Sequence, residues 1–146
     1  MLAESPKATT DKLQRVLNAA ARVVTETRKY DRGLTDILRN ELHWLSVPQR
    51  VKFKFGTMMF RCLRNPVPRY LSDFCTPVAN VAARSQLRSA RRYLVVVPRY
   101  NMSTYGRRAF SIAGPMTWNS LTDSLHDPLL SIDIFHRQLK TFLFDN

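Results

Sequence analysis

Apolar side chains recur every three or four residues in the first part of the chain, which is the spacing of one helix face. Between Thr10 and about Thr27 the apolar positions are Leu13, Val16, Leu17, Ala20, Val23 and Val24. This spacing predicts an amphipathic helix with Arg15 and Arg22 on its solvent-exposed side. A second, short helix is predicted over Thr35–Leu42 by the same criterion.

The third predicted helix has the clearest start signal in the chain. Ser46 is followed three residues later by Gln49, which is the spacing of a capping box, and Pro48 suits the first helical turn. The helix is expected to run to about Leu63, and Gly56 in its interior indicates close approach of a neighbouring helix. Its apolar stripe comprises Val51, Phe55, Met58, Met59, Cys62 and Leu63.

The last predicted helix follows Ser131, which can cap it, and Asp133 lies in the first turn, where negative charge is favourable. Its apolar face comprises Ile132, Phe135, Leu139, Phe142 and Leu143. We expect this face to pack back on the domain.

The stretch before that helix favours β structure. Tyr93–Val97 is apolar and β-branched, and Arg107–Ile112 alternates well enough to be its antiparallel partner, with residues 98–106 between them. The Gly-Pro pair at 114–115 predicts a break. A helical turn over Met116–Leu121 should then bury Trp118, with Asn119 serving packing and local capping. Residues 81–92 can form a loop or a weak helix.

These elements predict a mainly helical α+β domain with three N-terminal helices, a two-stranded β-hairpin and a C-terminal helix around one core. Its 146 residues suit a single domain, residues 1–146, and we expect the first nine to be flexible. No apolar run approaches the roughly 20 residues that span a bilayer, and Met1–Lys12 lacks the order of a signal peptide. We expect an intracellular protein, nuclear or cytoplasmic, in which Cys62 and Cys75 are buried free thiols.

Positive charge is concentrated in the middle of the chain. The formal net charge is +12, and Asp73 is the only acidic residue between Glu41 and Asp123. The same interval contains thirteen basic residues: Arg50, Lys52, Lys54, Arg61, Arg64, Arg69, Arg84, Arg88, Arg91, Arg92, Arg99, Arg107 and Arg108. A bound polyanion could supply the missing negative charge.

Nucleic-acid binding requires guanidinium groups for phosphate oxygens and flat rings for exposed bases. The candidate nucleic-acid-binding residues are Arg84, Arg88, Arg91, Arg92, Arg99, Tyr100, Tyr105, Arg107 and Arg108. The alternative is that these arginines only solvate an ordinary surface, with Tyr105 and Phe110 in the core of the hairpin.

Catalytic chemistry has no support in the sequence. The two cysteines and three histidines show no pair at zinc-ligand spacing, and there is no Gly-x-Ser-x-Gly elbow or glycine-rich phosphate loop. We predict no enzymatic activity, no metal, no cofactor and no small-molecule substrate.

An ordered signature runs through the basic middle of the chain: V-V-P-R at Val96–Arg99, T-Y-G-R-R-A-F at Thr104–Phe110 and A-G-P-x-x-W-N-S-L at Ala113–Leu121. With these segments the chain resembles the extreme C-terminal tail of jockey-like non-LTR retrotransposon (LINE) reverse transcriptases. Further matching segments are Pro6–Val24, Glu41–Lys54, Pro68–Val78 and Phe135–Phe144. Almost the whole chain is covered. The departures are Asn65, where the family usually has Gly, and Thr122, where it usually has Pro.

The resemblance implies a non-catalytic segment of an RNA-directed DNA polymerase that grips RNA or DNA by the phosphate backbone. The aromatic-x-Asp-Asp turn of the polymerase core does not occur in these residues, and no endonuclease is present. The reverse transcriptase core is a further expected partner, and no membrane is expected.

Two alternatives stay open. The chain can be a structural brace for the polymerase, whose surfaces around Val51, Phe55 or Trp118 become exposed when it is expressed alone. It can also be a fragment of a decayed element with no selected activity.

Overall fold

The computed structural model describes residues 5–64, 67–100 and 108–145, and helices dominate them. The α-helices are α1 (Lys7–Val24), α2 (Leu34–Asp36), α3 (Val47–Arg64), α4 (Arg69–Ser72), α5 (Arg88–Arg91), α6 (Phe110–Asn119) and α7 (Ile132–Asp145). A π-helical turn continues α2 over Ile37–Glu41, and short 3-10 turns occupy Val78–Asn80, Ala82–Arg84 and Asp123–His126. The mainly helical character predicted from the sequence is confirmed.

The core lies where α3 packs against α6 and α7. Phe60 of α3 stacks on Phe135 of α7 with 4.3 Å between ring centroids, and Trp118 of α6 lies 6.1 Å from Phe135. All three rings are almost completely buried. Phe135, Leu139 and Leu143 are buried along one side of α7, so the predicted inward face of the last helix is confirmed.

Residues at the start of α3, including the predicted capping residues, form hydrogen bonds with α1 and α7. The Ser46 backbone N–H and hydroxyl both donate to Gln49 Oε1, each at 2.9 Å. Gln49 Nε2 in turn donates to the carbonyl of Leu143 near the end of α7, and the Val47 N–H donates to Gln14 Oε1 of α1 at 2.9 Å. The start of α3 is therefore held by polar contacts to both terminal helices.

Two glycines allow the core helices to come close. A Cβ at Gly56 would lie 3.0 Å from Leu139 Cδ2 of α7, which confirms the predicted close approach, and a Cβ at Gly114 would lie 2.8 Å from Met59 Sδ. The break predicted at Gly114 is wrong, because α6 continues through Pro115. Glycine permits this continuation because much of the clash between proline and the preceding residue involves a Cβ that glycine lacks.

The predicted β-hairpin is wrong for the part of it that the structure describes. Within the span predicted as its second strand, helix α6 begins at Phe110, and Arg107 lies outside the described residues. Part of the predicted first strand pairs instead with the chain around Pro77: Val96 N–H donates to the Thr76 carbonyl at 2.9 Å. The pairing extends to a single isolated bridge, Pro77 with Val95.

The reason for this error is the shortness of the predicted second strand. Phe110, Ile112 and Ala113 are apolar positions that reach the core from α6, and Ile112 and Ala113 are buried there. Periodicity over so few residues does not separate a buried strand from a buried helix.

Helix α1 overlaps the predicted helix but begins three residues earlier, at Lys7, and it packs through a different side. Ala21 is its only buried residue, and Gln14 makes its hydrogen bond to α3. The apolar stripe is largely exposed, with 67% of Val16, 80% of Val23 and 60% of Val24 accessible to solvent. The sequence therefore predicts this helix and not its orientation.

Candidate nucleic-acid interface

The candidate interface is built on the extended segment that follows α5. Thr76 pairs with one edge of this segment through Val96, and the side chain of Asn119 occupies the other edge. Asn119 Oδ1 accepts from the Val95 N–H at 2.9 Å, and Asn119 Nδ2 donates to the Val95 carbonyl at 2.8 Å. One amide side chain thus satisfies both backbone groups of Val95, as a neighbouring strand would. The predicted role of Asn119 in local capping is wrong, because this partner is distant in sequence.

Helix α5 ends in a hydrogen-bonding pattern that fixes Tyr93. Leu94 N–H donates to the Ser89 carbonyl at 3.1 Å, and Tyr93 N–H donates to the Ala90 carbonyl at 3.2 Å, which together form a Schellman motif. Tyr93 occupies the left-handed position of this motif with φ of 55°. Its carbonyl accepts from Trp118 Nε1 at 3.1 Å, so the core tryptophan also holds this residue.

Three of the predicted arginines lie exposed along this region. Arg84 ends the second 3-10 turn, and Arg88 and Arg91 are three residues apart on α5, so they share a side of that helix. None of the three makes a hydrogen bond or an ion pair through its side chain with any residue in the described ranges. Their guanidinium groups are therefore available to an external anion.

Arg92 differs from these three because it has an acidic partner. Its Nε lies 2.8 Å from Asp123 Oδ1, although both side chains remain about half exposed. Asp123 stands at the end of the basic interval in sequence, and the fold brings it against Arg92 inside that interval. A protein acid therefore supplies part of the missing negative charge at Arg92.

The remaining predicted residues lie further along the chain. Arg99 is exposed, and Tyr100 and Arg108 are half-buried and engaged in contacts. Tyr105 and Arg107 fall outside the described residues. The structure thus places Arg84, Arg88, Arg91 and Arg92 in one short stretch, from the second 3-10 turn to the end of α5.

Arg64 shows that positive charge in the middle of the chain is partly structural. Its guanidinium donates to the carbonyls of Leu130, at 2.8 Å, and Asp127, and it lies 4.1 Å from the ring centroid of Phe60. Burial lowers the pKa of Arg64 from its ordinary value, while the Asp127 charge opposes that shift. These hydrogen bonds from Arg64 hold the loop before α7, so Arg64 does not belong to the candidate interface.

His126 is a buried polar residue close to Asp123, and the sequence did not indicate a role for it. Only 1% of it is exposed, its Nε2 lies 2.9 Å from the Trp118 carbonyl, and the ring centroids of His126 and Trp118 are 4.9 Å apart. Burial lowers the pKa of His126, and the smaller effects of the Trp118 carbonyl and the Asp123 carboxylate raise it. The lone sequence signal, an adjacent His-Asp pair, did not indicate this role.

The two thiols are free, as predicted, with Cys75 buried and Cys62 half-buried. Burial raises the pKa of Cys75 to about 12, and the neighbouring Cys62 contributes in the same direction. Cys75 is therefore protonated at neutral pH and is a poor nucleophile.

Metal ligands are not clustered in this structure: across residues 5–64, 67–100 and 108–145, no three His, Cys, Asp or Glu side chains are placed to share an ion. None of the described helices is long and apolar enough to cross a membrane. Comparison of the chain with protein-family models, curated proteins and solved structures gave no match.

Proposed function

We propose that this chain is a non-catalytic domain that binds the phosphate backbone of RNA or DNA, in the context of a LINE-type reverse transcriptase. The observation that carries the proposal is the exposed set of Arg84, Arg88 and Arg91, which has no acidic partner among the described residues. The segmental resemblance to the tail of such polymerases supplies the context. Arginine suits the task because its planar fork binds phosphate through two parallel hydrogen bonds.

The backbone around these arginines supports the proposal. Asn119 pairs with Val95 and Trp118 bonds the Tyr93 carbonyl, so the segment after α5 is attached to the core by side chains of α6. A binding surface on a held backbone loses less conformational entropy on association than one on a free loop. Arg92 adds a fourth guanidinium whose position is set by Asp123.

Affinity for a single-stranded RNA and for a DNA duplex, measured across a salt series, tests this function. The variant Arg84→Gln/Arg88→Gln/Arg91→Gln should bind both more weakly and show a shallower salt dependence. Each lost phosphate contact reduces the slope of log K against log salt by about 0.7 for single strands and about 0.9 for duplex DNA.

A control variant removes the same charge elsewhere. Lys7→Gln/Lys12→Gln/Arg15→Gln, all exposed residues of α1, should keep most of the affinity and the slope. Equal losses in the two triple variants would mean that only the net charge of +12 matters, and the assigned surface would be wrong.

A second candidate function, a brace that binds the reverse transcriptase core, is favoured by the exposed stripe of α1. Val16, Val23 and Val24 lie on one helical face and are mostly accessible to solvent. Of the residues predicted for this role, Phe55 and Trp118 are buried and Val51 is half-buried. Under this function Val16→Ser/Val23→Ser should abolish co-purification with a polymerase core, while the arginine variant retains it; retention by both variants would exclude α1 as the contact.

A further inference from the structure

Two cavities meet at Tyr93. An apolar pocket of about 160 Å³ extends beneath it and is lined mainly by Leu63, Pro77, Ala90, Leu94 and Trp118. A charged cleft of about 380 Å³ also adjoins Tyr93 and includes Arg91, Arg92, Asp123 and Asp127 in its wall. Tyr93 and Pro128 line both cavities, which therefore adjoin and are treated together as one depression with an apolar part and a charged part.

Tyr93 is held at this boundary at a conformational cost. A non-glycine residue in the left-handed region is disfavoured by roughly 1–2 kcal/mol, and glycine would avoid that cost. Tyr93 nevertheless has φ of 55° and leaves 52% of its surface exposed. Strain of this kind, at an exposed aromatic residue beside a cavity, is a feature of binding sites.

The apolar pocket has the size of one six-membered ring. A cavity of about 150 Å³ with an apolar lining accommodates benzene, and the volume here is about 160 Å³. Aromatic side chains at the edge of such a pocket provide a face on which a base can stack.

His126 also lines the pocket, as a buried part of its wall. Only 1% of the residue is exposed, its Nε2 lies 2.9 Å from the Trp118 carbonyl, and its Nδ1 lies 3.9 Å from Asp123 Oδ1. The size of the pocket is therefore the feature that selects the base.

We propose that the apolar pocket beside Tyr93 binds one unpaired pyrimidine base of a single-stranded nucleic acid. The ring of Tyr93 stacks on the base, and the flanking phosphates contact Arg91 and Arg92 in the charged cleft. Arg92 uses its Nε in the pair with Asp123, which leaves its two terminal NH2 groups for a phosphate. This inference rests on the proposed nucleic-acid function and adds a base site to it.

Decameric DNA probes with equal phosphate number test the base site separately from phosphate binding. Each probe is abasic except at one central position, which carries thymine, adenine or no base, and affinities are measured by fluorescence anisotropy at one low salt concentration. The protein should bind the thymine probe about 5- to 150-fold more tightly than the fully abasic probe, which is the range for stacking of one base. The adenine probe should gain less.

Two variants localise the effect. Tyr93→Gly removes the ring and accepts the left-handed backbone, so it should fold and lose the preference for thymine while binding the abasic probe as before. Ala79→Leu, at an exposed residue of the pocket lining, should fill the pocket and give the same loss. Tyr30→Gly is the matched control, because Tyr30 is 87% exposed and lies outside this depression.

The outcomes separate the two proposals. Equal affinity for thymine and abasic probes overturns the base site and leaves phosphate binding intact. A stronger gain for adenine overturns the assignment to a pyrimidine. Failure of every probe to bind at low salt overturns the base site and the proposed function together.

Discussion

Helices α1 and α7 carry equally clear apolar stripes, but the protein buries only the stripe of α7. Phe135 and Leu139 of α7 are completely buried, whereas Val16 and Val23 of α1 are 67% and 80% exposed. Both stripes follow the same helical spacing in the sequence. An amphipathic pattern therefore predicts that a helix forms without specifying which surface covers it.

The two helices differ in how they are attached. Helix α7 meets α3 through aromatic stacking, with Phe60 and Phe135 rings 4.3 Å apart, and through Leu139 against Gly56. Helix α1 buries only Ala21 and contacts α3, whose Val47 N–H donates a hydrogen bond to Gln14. Most helical stability in proteins comes from packing of the apolar face, so α1 should be the less stable of the two.

Truncation of one apolar side chain on α7 and one on α1 should give the largest difference in the free energy of unfolding. Phe135→Ala should lower the free energy of unfolding by about 3–5 kcal/mol, because it opens a cavity between α3, α6 and α7. Val23→Ala should change it by no more than about 0.5 kcal/mol, since that side chain is exposed. Urea unfolding followed by circular dichroism measures both, and a loss of several kcal/mol for Val23→Ala would show that its face is covered.

Removing one hydrogen-bonding side chain from α6 and one from α1 should give a smaller difference in the free energy of unfolding, again with the larger loss in the core. Asn119→Ala leaves the N–H and carbonyl of Val95 without partners and should cost about 1–3 kcal/mol. Gln14→Ala removes one hydrogen bond to the Val47 N–H and should cost about 0.5–1.5 kcal/mol. If Gln14→Ala proves the more destabilising in urea unfolding, α1 is an integral part of the core.

Lowering the pH should destabilise the folded protein through His126, which lies against Trp118 of α6. Burial lowers the pKa of His126 in the folded protein below its ordinary value of 6.5, so the unfolded chain binds more protons as the pH falls through that value. The free energy of unfolding should therefore decrease from about pH 7 to about pH 5, the window below the ordinary histidine pKa.

Two histidine variants show where this pH dependence arises. His126→Gln should flatten the decrease, and His43→Gln, at an exposed histidine after α2, should leave it unchanged. Identical pH profiles for wild type and His126→Gln would mean that His126 does not control acid stability.

Polar substitution on the exposed stripe of α1 should have the smallest effect on stability. Val16→Ser/Val23→Ser should alter the free energy of unfolding by about 0.5–1 kcal/mol, which is two exposed substitutions at the usual size. It should also reduce the binding of a hydrophobic dye to the native protein, because two exposed apolar side chains are lost. Unchanged dye binding would place the exposed apolar surface elsewhere.

Local interactions account for the features that the sequence determined alone. The start of α3 follows from Ser46 and Gln49, and that of α7 follows from Ser131, whose hydroxyl accepts from the Ile134 N–H at 3.4 Å. These partners are three residues apart, so their spacing in the sequence already implies their contact. Gly56 likewise indicated a close helix neighbour, although it did not identify Leu139.

In the candidate interface, too, the sequence indicated some features and missed others. The sequence indicated exposed arginines, and Arg84, Arg88 and Arg91 are exposed. It did not indicate the ion pair of Arg92 with Asp123, whose partners are 31 residues apart, or the left-handed position of Tyr93. No local pattern distinguishes an arginine that will meet an acid from one that will not.

The sequence by itself determined that helices α1, α3 and α7 form and where positive charge accumulates, because both depend on residues within a few positions of each other. Tertiary structure alone decided that Tyr93–Val97 pairs with Thr76 and Asn119 instead of forming a hairpin, and that α7 is covered while α1 is not. These outcomes depend on which distant surfaces meet, and that choice is set by the packing of the whole chain around Trp118 and Phe135.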